Sequence, residues 1–250
     1  MADMQALIAR KMDAILISPK VSGPLTAIVS AAFNRGIPVF VLDRDLDNRR
    51  YTQFIGGDNV AIGRAAGAFA VDHLGGPGKA RGQILEIWGG MGSTPAWERH
   101  RGFQEIIDRE PGVEVINQPS DGDWKQDLSY EIMIEALENH AEIDLVYAHN
   151  DPMAFGAYLA ARDLQRADGI AFIGIDAIPA EGVRWVAEGI LDATFLYKTP
   201  GDEGLRQALR FLRGEAVDGR LTLPTRTIDR TNANEVLRKA GEPVSTTPVP

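Results

Sequence analysis

Polar side chains stand at the ends of three apolar segments of this chain, where they could bind a small polar ligand. Asp43 and Arg44 follow IPVFVL, Asn150 follows LVYAH, and Asp176 follows IAFIGI. Arg99 lies in STPAWERHRGF, which comes after the apolar segment GQILEIWGG. In a parallel α/β sheet, ligands bind beyond the carboxyl ends of the strands. The sequence therefore predicts that these side chains face a common ligand.

The chemistry of these side chains is suited to a small polyhydroxylated molecule. Carboxylates accept hydrogen bonds from hydroxyl groups, a guanidinium donates a planar pair of them, and an amide does both. Trp124, in the polar segment DGDWKQD, could stack its indole on the C–H face of a sugar ring. Structural alternatives remain open: a solvated turn for Asp43–Arg44, a helix cap for Asp151 or Asp176, and a surface aromatic for Trp124.

Composition restricts the function classes. The chain has 250 residues, of which 44% are hydrophobic and 24% charged, as in a soluble globular protein of one large domain or two lobes. Its net charge of -9 and the lack of a basic run argue against nucleic-acid binding. With no cysteine, the chain has neither disulfides nor thiolate ligands, which is consistent with an oxidising compartment. No apolar run is long enough to span a membrane, and the N-terminal segment MADMQALIARKMDAILISP is not typical of a signal peptide.

Catalytic and cofactor motifs are missing from the sequence. The four histidines (His73, His100, His140 and His149) have no metal-ligand spacing, and no nucleophile elbow, HExxH or paired-carboxylate motif occurs. The glycine-rich segment GGMGSTPAWERH (89–100) could hold an anion, but it lacks the Gly-Lys-Ser/Thr of a phosphate loop. We favour a tight turn capped by Ser93 or Thr94, with Arg99 one turn further on and pointing back toward the ligand. We expect neither cofactor nor metal, and no enzymatic activity.

Strand-like and helix-like segments alternate along the chain, which predicts an α/β fold with parallel sheets. Because the strands are nearly continuous apolar runs, helices should cover both faces of the sheets. Ser22 is the predicted cap of the second helix and Gly36 its end. The predicted strands are 13–19, 37–43, 82–90, 113–120, 145–150, 170–176, 191–197 and 225–229. The predicted helices are 3–11, 22–35, 60–73, 94–109, 126–139, 152–165, 179–188, 201–213 and 232–239.

Several of these segments together resemble a known family. IPVFVLDRD, IGGDN, STPAWERHRGF, YAHNDPMAFGAYLA, FIGIDAIP and ATFLYKTPG are similar, in order and spacing, to the type I periplasmic sugar-binding proteins of the ribose-binding family. The resemblance extends over residues 5–230. IGGDN, STPAWERHRGF and ATFLYKTPG are especially similar to the sugar-sensing extracytoplasmic domains of two-component systems.

The resemblance implies a two-lobed protein that closes on its ligand. It implies a first lobe of residues 1–57 and 199–223, a second lobe of 58–198 and 224–242, and a disordered tail at 243–250. The chain would cross between lobes near IGGDN (55–59) and KTPG (198–201). A monosaccharide or polyol would bind in the cleft, in the periplasm, for an ABC permease or a sensor histidine kinase.

The resemblance also assigns individual residues to the ligand. They are Asp43 and Arg44 of an LDR motif, Arg99 of an RER-like motif, the stacking Trp124, Asn150 of a QND-like motif, Asp176 of a GFD-like motif, and Tyr197. Two positions depart from the ribose binders: Ile175 replaces a stacking Phe, and Tyr197 replaces a Gln. These departures argue against ribose itself and leave room for another pentose, a hexose or a polyol.

At its N-terminus the sequence differs from the family, which has a strand, a helix and a second strand ahead of the segment that opens this sequence. We therefore expect an incomplete first lobe with an exposed sheet edge beside DAILISP, along which copies of the chain could associate. Two other functions remain open. One is the effector core of a repressor of the lac-repressor type, which would carry a helix-turn-helix. The other is a sugar-phosphate enzyme, which would bind phosphate near residues 92–94.

Overall fold

Helices and strands alternate along the chain, which confirms the predicted α/β class. The structure is a computed structural model that describes residues 1–117 and 121–244. The strands are β1 (Ile15–Ile17), β2 (Val39–Leu42), β3 (Gln53–Gly57), β4 (Gly82–Ile87), β5 (Val113–Asn117), β6 (Leu145–Ala148), β7 (Ala171–Asp176), β8 (Ala193–Leu196), β9 (Arg220–Leu223) and β10 (Thr227–Asp229). The α-helices are α1 (Ala2–Ala9), α2 (Ser22–Asn34), α3 (Asn59–His73), α4 (Thr94–Ile107), α5 (Gln126–Asn139), α6 (Asp151–Asp163), α7 (Arg184–Ala187), α8 (Gly201–Leu212) and α9 (Ala233–Ala240).

The chain divides into two units with separate hydrophobic cores. Unit 1 consists of Met1–Asp58, Gly92–Pro95 and Lys198–Pro224, and unit 2 of Asn59–Met91, Ala96–Tyr197 and Thr225–Pro250. That these units act as the two lobes of a binding protein stays a prediction.

Unit 1 is built on a parallel sheet with the strand order β1-β2-β3-β9. Side chains of α1 and α2, including Ile8 and Val29, pack on one face of this sheet. On the other face, Phe40 and Leu42 of β2 pack with Ala208 of α8. Among the described residues, β1 pairs with β2 alone, so it is an edge strand.

Unit 2 is built on a six-stranded sheet with the order β10-β8-β7-β6-β4-β5. Helices α3 and α4 supply the core on one face, and α5, α6, α7 and α9 supply it on the other. All the strand pairs are parallel except β10–β8, which is antiparallel. The carboxyl ends of β8, β7, β6 and β4 therefore follow one another along a single edge of the sheet.

Local details differ from the sequence-based predictions. Val21, not Ser22, occupies the cap position of α2. Gly36, the predicted end of that helix, does follow it, with a φ of 79°. The segment Pro179–Val183 forms a π-helical turn rather than regular α-helix. There Gly182 approaches Asp151 so closely that an added Cβ would lie 1.9 Å from its carboxylate.

Other predictions concern single elements. Strands β3 and β9 were not among the predicted strands. Part of the predicted strand 113–120 and most of the predicted tail 243–250 lie outside the described residues. Among the helices that the structure describes, none is long and apolar enough to cross a membrane.

Candidate functional site

Three of the predicted ligand residues lie at adjacent strand ends of unit 2. Asn150 comes two residues after β6, Asp176 is the last residue of β7, and Tyr197 directly follows β8. These strands are neighbours in the sheet, and the backbone N–H of Tyr197 donates to the carbonyl of Asp176 at 3.2 Å. The order of the strands thus brings together residues that are far apart in sequence.

Arg99 connects these strand ends. Its Nε donates to Asn59 Oδ1 at 2.9 Å, and its Nη1 donates to the carbonyl oxygen of His149. Its Nη2 lies 3.8 Å from Asp176 Oδ1. The side chain is only 4% exposed, so the guanidinium charge is largely desolvated and depends on these partners. Arg99 therefore points toward the carboxyl edge of the sheet, as its position one turn into α4 suggested.

Two aromatic rings lie near the Arg99 guanidinium. Its Cζ is 5.4 Å from the centroid of Trp124 and 5.2 Å from that of Tyr197, both within cation–π range. Tyr197 is buried and Trp124 is partly exposed. Unit 2 thus collects a cation, a carboxylate, an amide and two aromatic rings.

Two glycines allow the close approach of the helices that carry this group. A Cβ on Gly63 of α3 would lie 2.2 Å from the Arg99 carbonyl oxygen, and one on Gly102 of α4 would lie 2.1 Å from the Val60 carbonyl oxygen. Only glycine permits such contacts between helix backbones. The packing holds Arg99 next to Asn59, the first residue of α3.

Trp124 is held by the glycines that follow β4. A Cβ on Gly89 would lie 2.4 Å from the six-membered ring of the indole, and one on Gly90 would lie 2.8 Å from Nε1. The Trp124 carbonyl accepts from Asn150 Nδ2 at 3.2 Å. These two glycines therefore provide the surface on which the indole lies.

Asn150 has a structural task as well as its place at the site. Its Oδ1 accepts from the Met153 N–H at 2.9 Å and caps α6. The alternative that Asp151 is this cap is excluded, because Asp151 is the first residue of the helix and its side chain turns inward. Asp151 Oδ2 accepts from the Ala177 N–H at 2.8 Å, and the residue is 1% exposed.

Burial gives Asp151 unusual electrostatics. It raises the pKa of the Asp151 carboxyl well above its ordinary value, and the negative charge of Asp176 acts in the same direction. The Asp151 carboxyl therefore holds its proton to a higher pH than an exposed aspartic acid does.

Three of the predicted ligand residues have backbone angles that favour glycine. The φ angle is 69° at Asp43, 65° at Trp124 and 125° at Asp176. Such conformations cost about 1–3 kcal/mol each and concentrate at functional sites. This observation is independent of the side-chain chemistry and favours the same positions.

Unit 1 places the remaining predicted pair after β2. Asp43 Oδ2 lies 3.5 Å from Arg44 Nε, and Arg44 Nη1 donates to the Lys20 carbonyl at 3.0 Å. Lys20 belongs to the segment after β1, the neighbouring strand, so this pair also stands at carboxyl strand ends. The side chains of Asp43 and Arg44 are 27% and 20% exposed.

Sequence reasoning missed a buried polar cluster that adjoins Arg99 through His100 and His149. Glu86, near the end of β4, accepts from His100 Nδ1 at 2.9 Å and from His149 Nε2 at 3.0 Å. His149 is fully buried. Glu86 is the one polar residue within the apolar segment ILEIW, and that placement could have marked it as a buried acid. No group of acidic and histidine side chains among the described residues is arranged to hold a metal ion.

Comparison with known proteins gives a consistent result. The periplasmic binding protein domain matches residues 1–216. The ribose import binding protein of Salmonella typhimurium is 32% identical over 222 residues, which cover 88% of this chain and 72% of the relative.

Solved structures are similar over nearly the whole chain. The fructose-binding periplasmic domain of a hybrid two-component system is 37% identical with a TM-score of 0.91, covering 96% of this chain and 79% of that one. A solute-binding protein of an ABC transporter from Bacillus halodurans, solved with myo-inositol, is 28% identical with a TM-score of 0.85, covering 95% and 82%. The chain is thus a member of the periplasmic binding protein family, within its sugar-binding group.

Proposed function

We propose that this protein binds a monosaccharide or polyol outside the cytoplasmic membrane and releases it chemically unchanged. The observation that carries the proposal is the convergence of Arg99, Asp176 and Asn150 with the rings of Trp124 and Tyr197 at one edge of the unit 2 sheet. This set combines hydrogen-bonding groups of both kinds with aromatic surface, which is what a sugar requires.

Each group has a distinct role in this proposal. The carboxylate of Asp176 accepts hydrogen bonds from ligand hydroxyls, and the Arg99 guanidinium donates to ligand oxygens. The Asn150 amide can both donate and accept. Trp124 stacks on an apolar ring face, and Tyr197 limits the space beside Arg99. Asp43 and Arg44 supply the ligand contacts of unit 1.

The destination of the bound sugar is either an importer or a sensor. Import is favoured by similarity to the ribose import binding protein, through which we infer an ABC permease as partner. Sensing is favoured by the 37% identity to the fructose-binding domain of a two-component system, through which we infer a sensor histidine kinase. Stimulation of a reconstituted permease ATPase by the sugar-loaded protein would support import.

The first test is a thermal-shift screen against pentoses, hexoses, polyols and sugar phosphates, followed by calorimetric titration of each hit. A ligand at ~100 times its dissociation constant should stabilise the fold by about 2.7 kcal/mol. The shift should disappear in Asp176→Gly, which removes the carboxylate at a position where glycine tolerates the backbone angle. It should persist in Glu138→Ala, a change at an exposed position on α5.

Two outcomes would contradict the proposal. One is a shift with phosphorylated sugars alone, which would favour the sugar-phosphate enzyme. The other is a shift that Asp176→Gly leaves unchanged, which would place the ligand elsewhere.

We also propose that copies of this chain associate along β1. This edge strand carries Leu16, which is 37% exposed. Leu16 pairs in register with Phe40, whose ring contacts Phe211 of α8 with centroids 6.0 Å apart. Leu205, Leu209 and Leu212 of α8 are also exposed. An unpaired edge beside exposed apolar residues is a pairing site for a second strand.

A further inference from the structure

The buried acid Glu86 joins two segments that carry proposed ligand contacts. Its side chain is 0% exposed. Oε2 accepts from His100 Nδ1 at 2.9 Å, and Oε1 accepts from His149 Nε2 at 3.0 Å. His100 belongs to α4 and His149 follows β6, so one carboxylate holds a helix and a strand end together.

The charge of Glu86 is maintained by these contacts. Burial alone would raise the pKa of Glu86, but the hydrogen bonds from His100 and His149 outweigh it and hold that pKa below its ordinary value. Burial also lowers the pKa of His149, whose Nδ1 has no hydrogen-bond partner among the described residues. In its neutral form His149 therefore carries its proton on Nε2, directed at Glu86.

His149 transmits this anchoring to the site. Its side chain is held by Glu86, while its carbonyl oxygen accepts from Arg99 Nη1. The next residue, Asn150, donates to the Trp124 carbonyl and caps α6. A shift of His149 would thus move the acceptor of Arg99 and the amide of Asn150 together.

His100 anchors the other side of Arg99. It is the next residue on α4, and its ring lies 4.2 Å from that of Trp88. Trp88 is also near the His149 ring, at 5.4 Å. Each imidazole therefore contacts both the Glu86 carboxylate and the Trp88 ring, which restricts its orientation.

We propose that Glu86 is a positioning residue of the ligand site, which fixes the Arg99 guanidinium and the Asn150 amide through its hydrogen bonds to His100 and His149. The inference rests on the proposed function for the identity of the ligand. The placement of Arg99 can nevertheless be measured without ligand.

The test compares Glu86→Leu with Glu86→Gln. Leucine removes both hydrogen bonds. Glutamine can keep them. Its oxygen accepts from His149 Nε2, and its amide donates to His100 Nδ1 once the proton of His100, whose side chain is 26% exposed, moves to Nε2. For the sugar identified by the thermal-shift screen, Glu86→Leu should lower the affinity on the order of 10- to 100-fold. Glu86→Gln should stay close to the unaltered protein.

The second measurement is the NMR signal of the Arg99 Nε–H in the ligand-free protein. In the unaltered protein and in Glu86→Gln, its hydrogen bond to Asn59 should protect this proton from solvent exchange. In Glu86→Leu the protection should be lost. Because no sugar is needed, this result tests the positioning even if the screen finds no ligand.

A matched control separates positioning from general destabilisation. Glu110 is another buried acid of unit 2, 7% exposed, and it accepts from the Gly78 N–H at 2.8 Å, away from the site. Glu110→Leu should lower the unfolding temperature without changing the affinity or the Arg99 signal. An unchanged Arg99 signal in Glu86→Leu, or equal losses in Glu86→Leu and Glu110→Leu, would overturn the inference.

Discussion

At Asp176 a side chain assigned to the ligand coincides with a backbone angle that non-glycine residues rarely adopt. Its φ is 125°, and that of the next residue, Ala177, is 55°. Surrounding contacts must hold this conformation, and the hydrogen bond from the Ala177 N–H to Asp151 is one of them. A backbone held in this way reduces the cost of ordering Asp176 in the binding role that we propose for it.

Asp151 contributes to this arrangement, and its effect on the free energy of unfolding depends on pH. Its pKa in the folded protein lies well above the ordinary 3.8 because the residue is buried and near Asp176. An acid with a raised folded-state pKa stabilises the fold most below its unfolded-state pKa, and this contribution is lost as pH rises through the folded-state pKa. Asp151→Asn removes the titration and keeps an oxygen for the Ala177 N–H.

The unfolding free energy of Asp151→Asn, relative to that of the unaltered protein, should therefore increase as pH rises from about 4. The increase should be about 1.4 kcal/mol per pH unit until the folded-state pKa of Asp151 is reached. Urea denaturation between pH 4 and 8 measures the difference. Glu138→Gln, at an exposed position, should show no such trend. A difference that does not vary with pH would mean that Asp151 is not a buried acid in the folded protein.

Residue-level prediction from sequence located polar side chains correctly where they follow an apolar strand. Asn150 and Asp176 lie at adjacent strand ends, as that pattern indicates, and their role in binding stays a prediction. The same reasoning missed Asn59 and Glu86, because their hydrogen-bond partners Arg99 and His149 lie 40 and 63 residues away in the chain. No local pattern encodes such partners, and the backbone angle of Asp176 is equally invisible in the sequence.

At the scale of elements, the position of Arg99 depends on how closely α4 approaches α3. Gly63→Ala should separate these helices, because the added methyl would lie 2.2 Å from the Arg99 carbonyl oxygen. Overpacking of this kind costs about 1–3 kcal/mol, more than the helix propensity that alanine gains. We expect a lower unfolding temperature together with a weaker sugar affinity, measured by calorimetric titration.

Gly201→Ala is the control for this prediction. Gly201 begins α8, and an added Cβ there has no neighbour within 4 Å. This change should leave affinity unaltered and stability equal or slightly higher. If Gly63→Ala behaved in the same way, the close packing of α3 and α4 would not be what places Arg99.

The elements themselves were largely predictable, since long apolar runs separated by amphipathic segments have few alternatives. Helix α5 begins and ends at the predicted residues, 126 and 139. Strand β9 has the sequence RLTL and two exposed residues, so its apolar content is too small to stand out; its pairing with β3 defines it. The π-helical turn at Pro179–Val183 likewise depends on a tertiary contact, the approach of Gly182 to Asp151.

At the scale of the whole molecule, the edge strand β1 of unit 1 is where we propose that copies of the chain associate. Leu205, Leu209 and Leu212 follow the spacing of one helix face and are 54%, 44% and 48% exposed. They belong to α8, which packs on the same sheet face as Leu16 of the edge strand β1. An edge of this composition attracts another strand, and a charge placed on it blocks that pairing.

We therefore expect the sedimentation coefficient of the unaltered protein to increase with concentration, and that of Leu16→Lys to stay constant. Leu164→Lys, which changes a leucine of unit 2 that is 43% exposed, controls for the added charge and should associate as the unaltered protein does. A concentration-independent coefficient for the unaltered protein would exclude the edge as a self-association site. Only Leu16 lies on the strand that the pairing requires. If both lysine variants lost association equally, the loss would come from the added charge and not from blocked strand pairing.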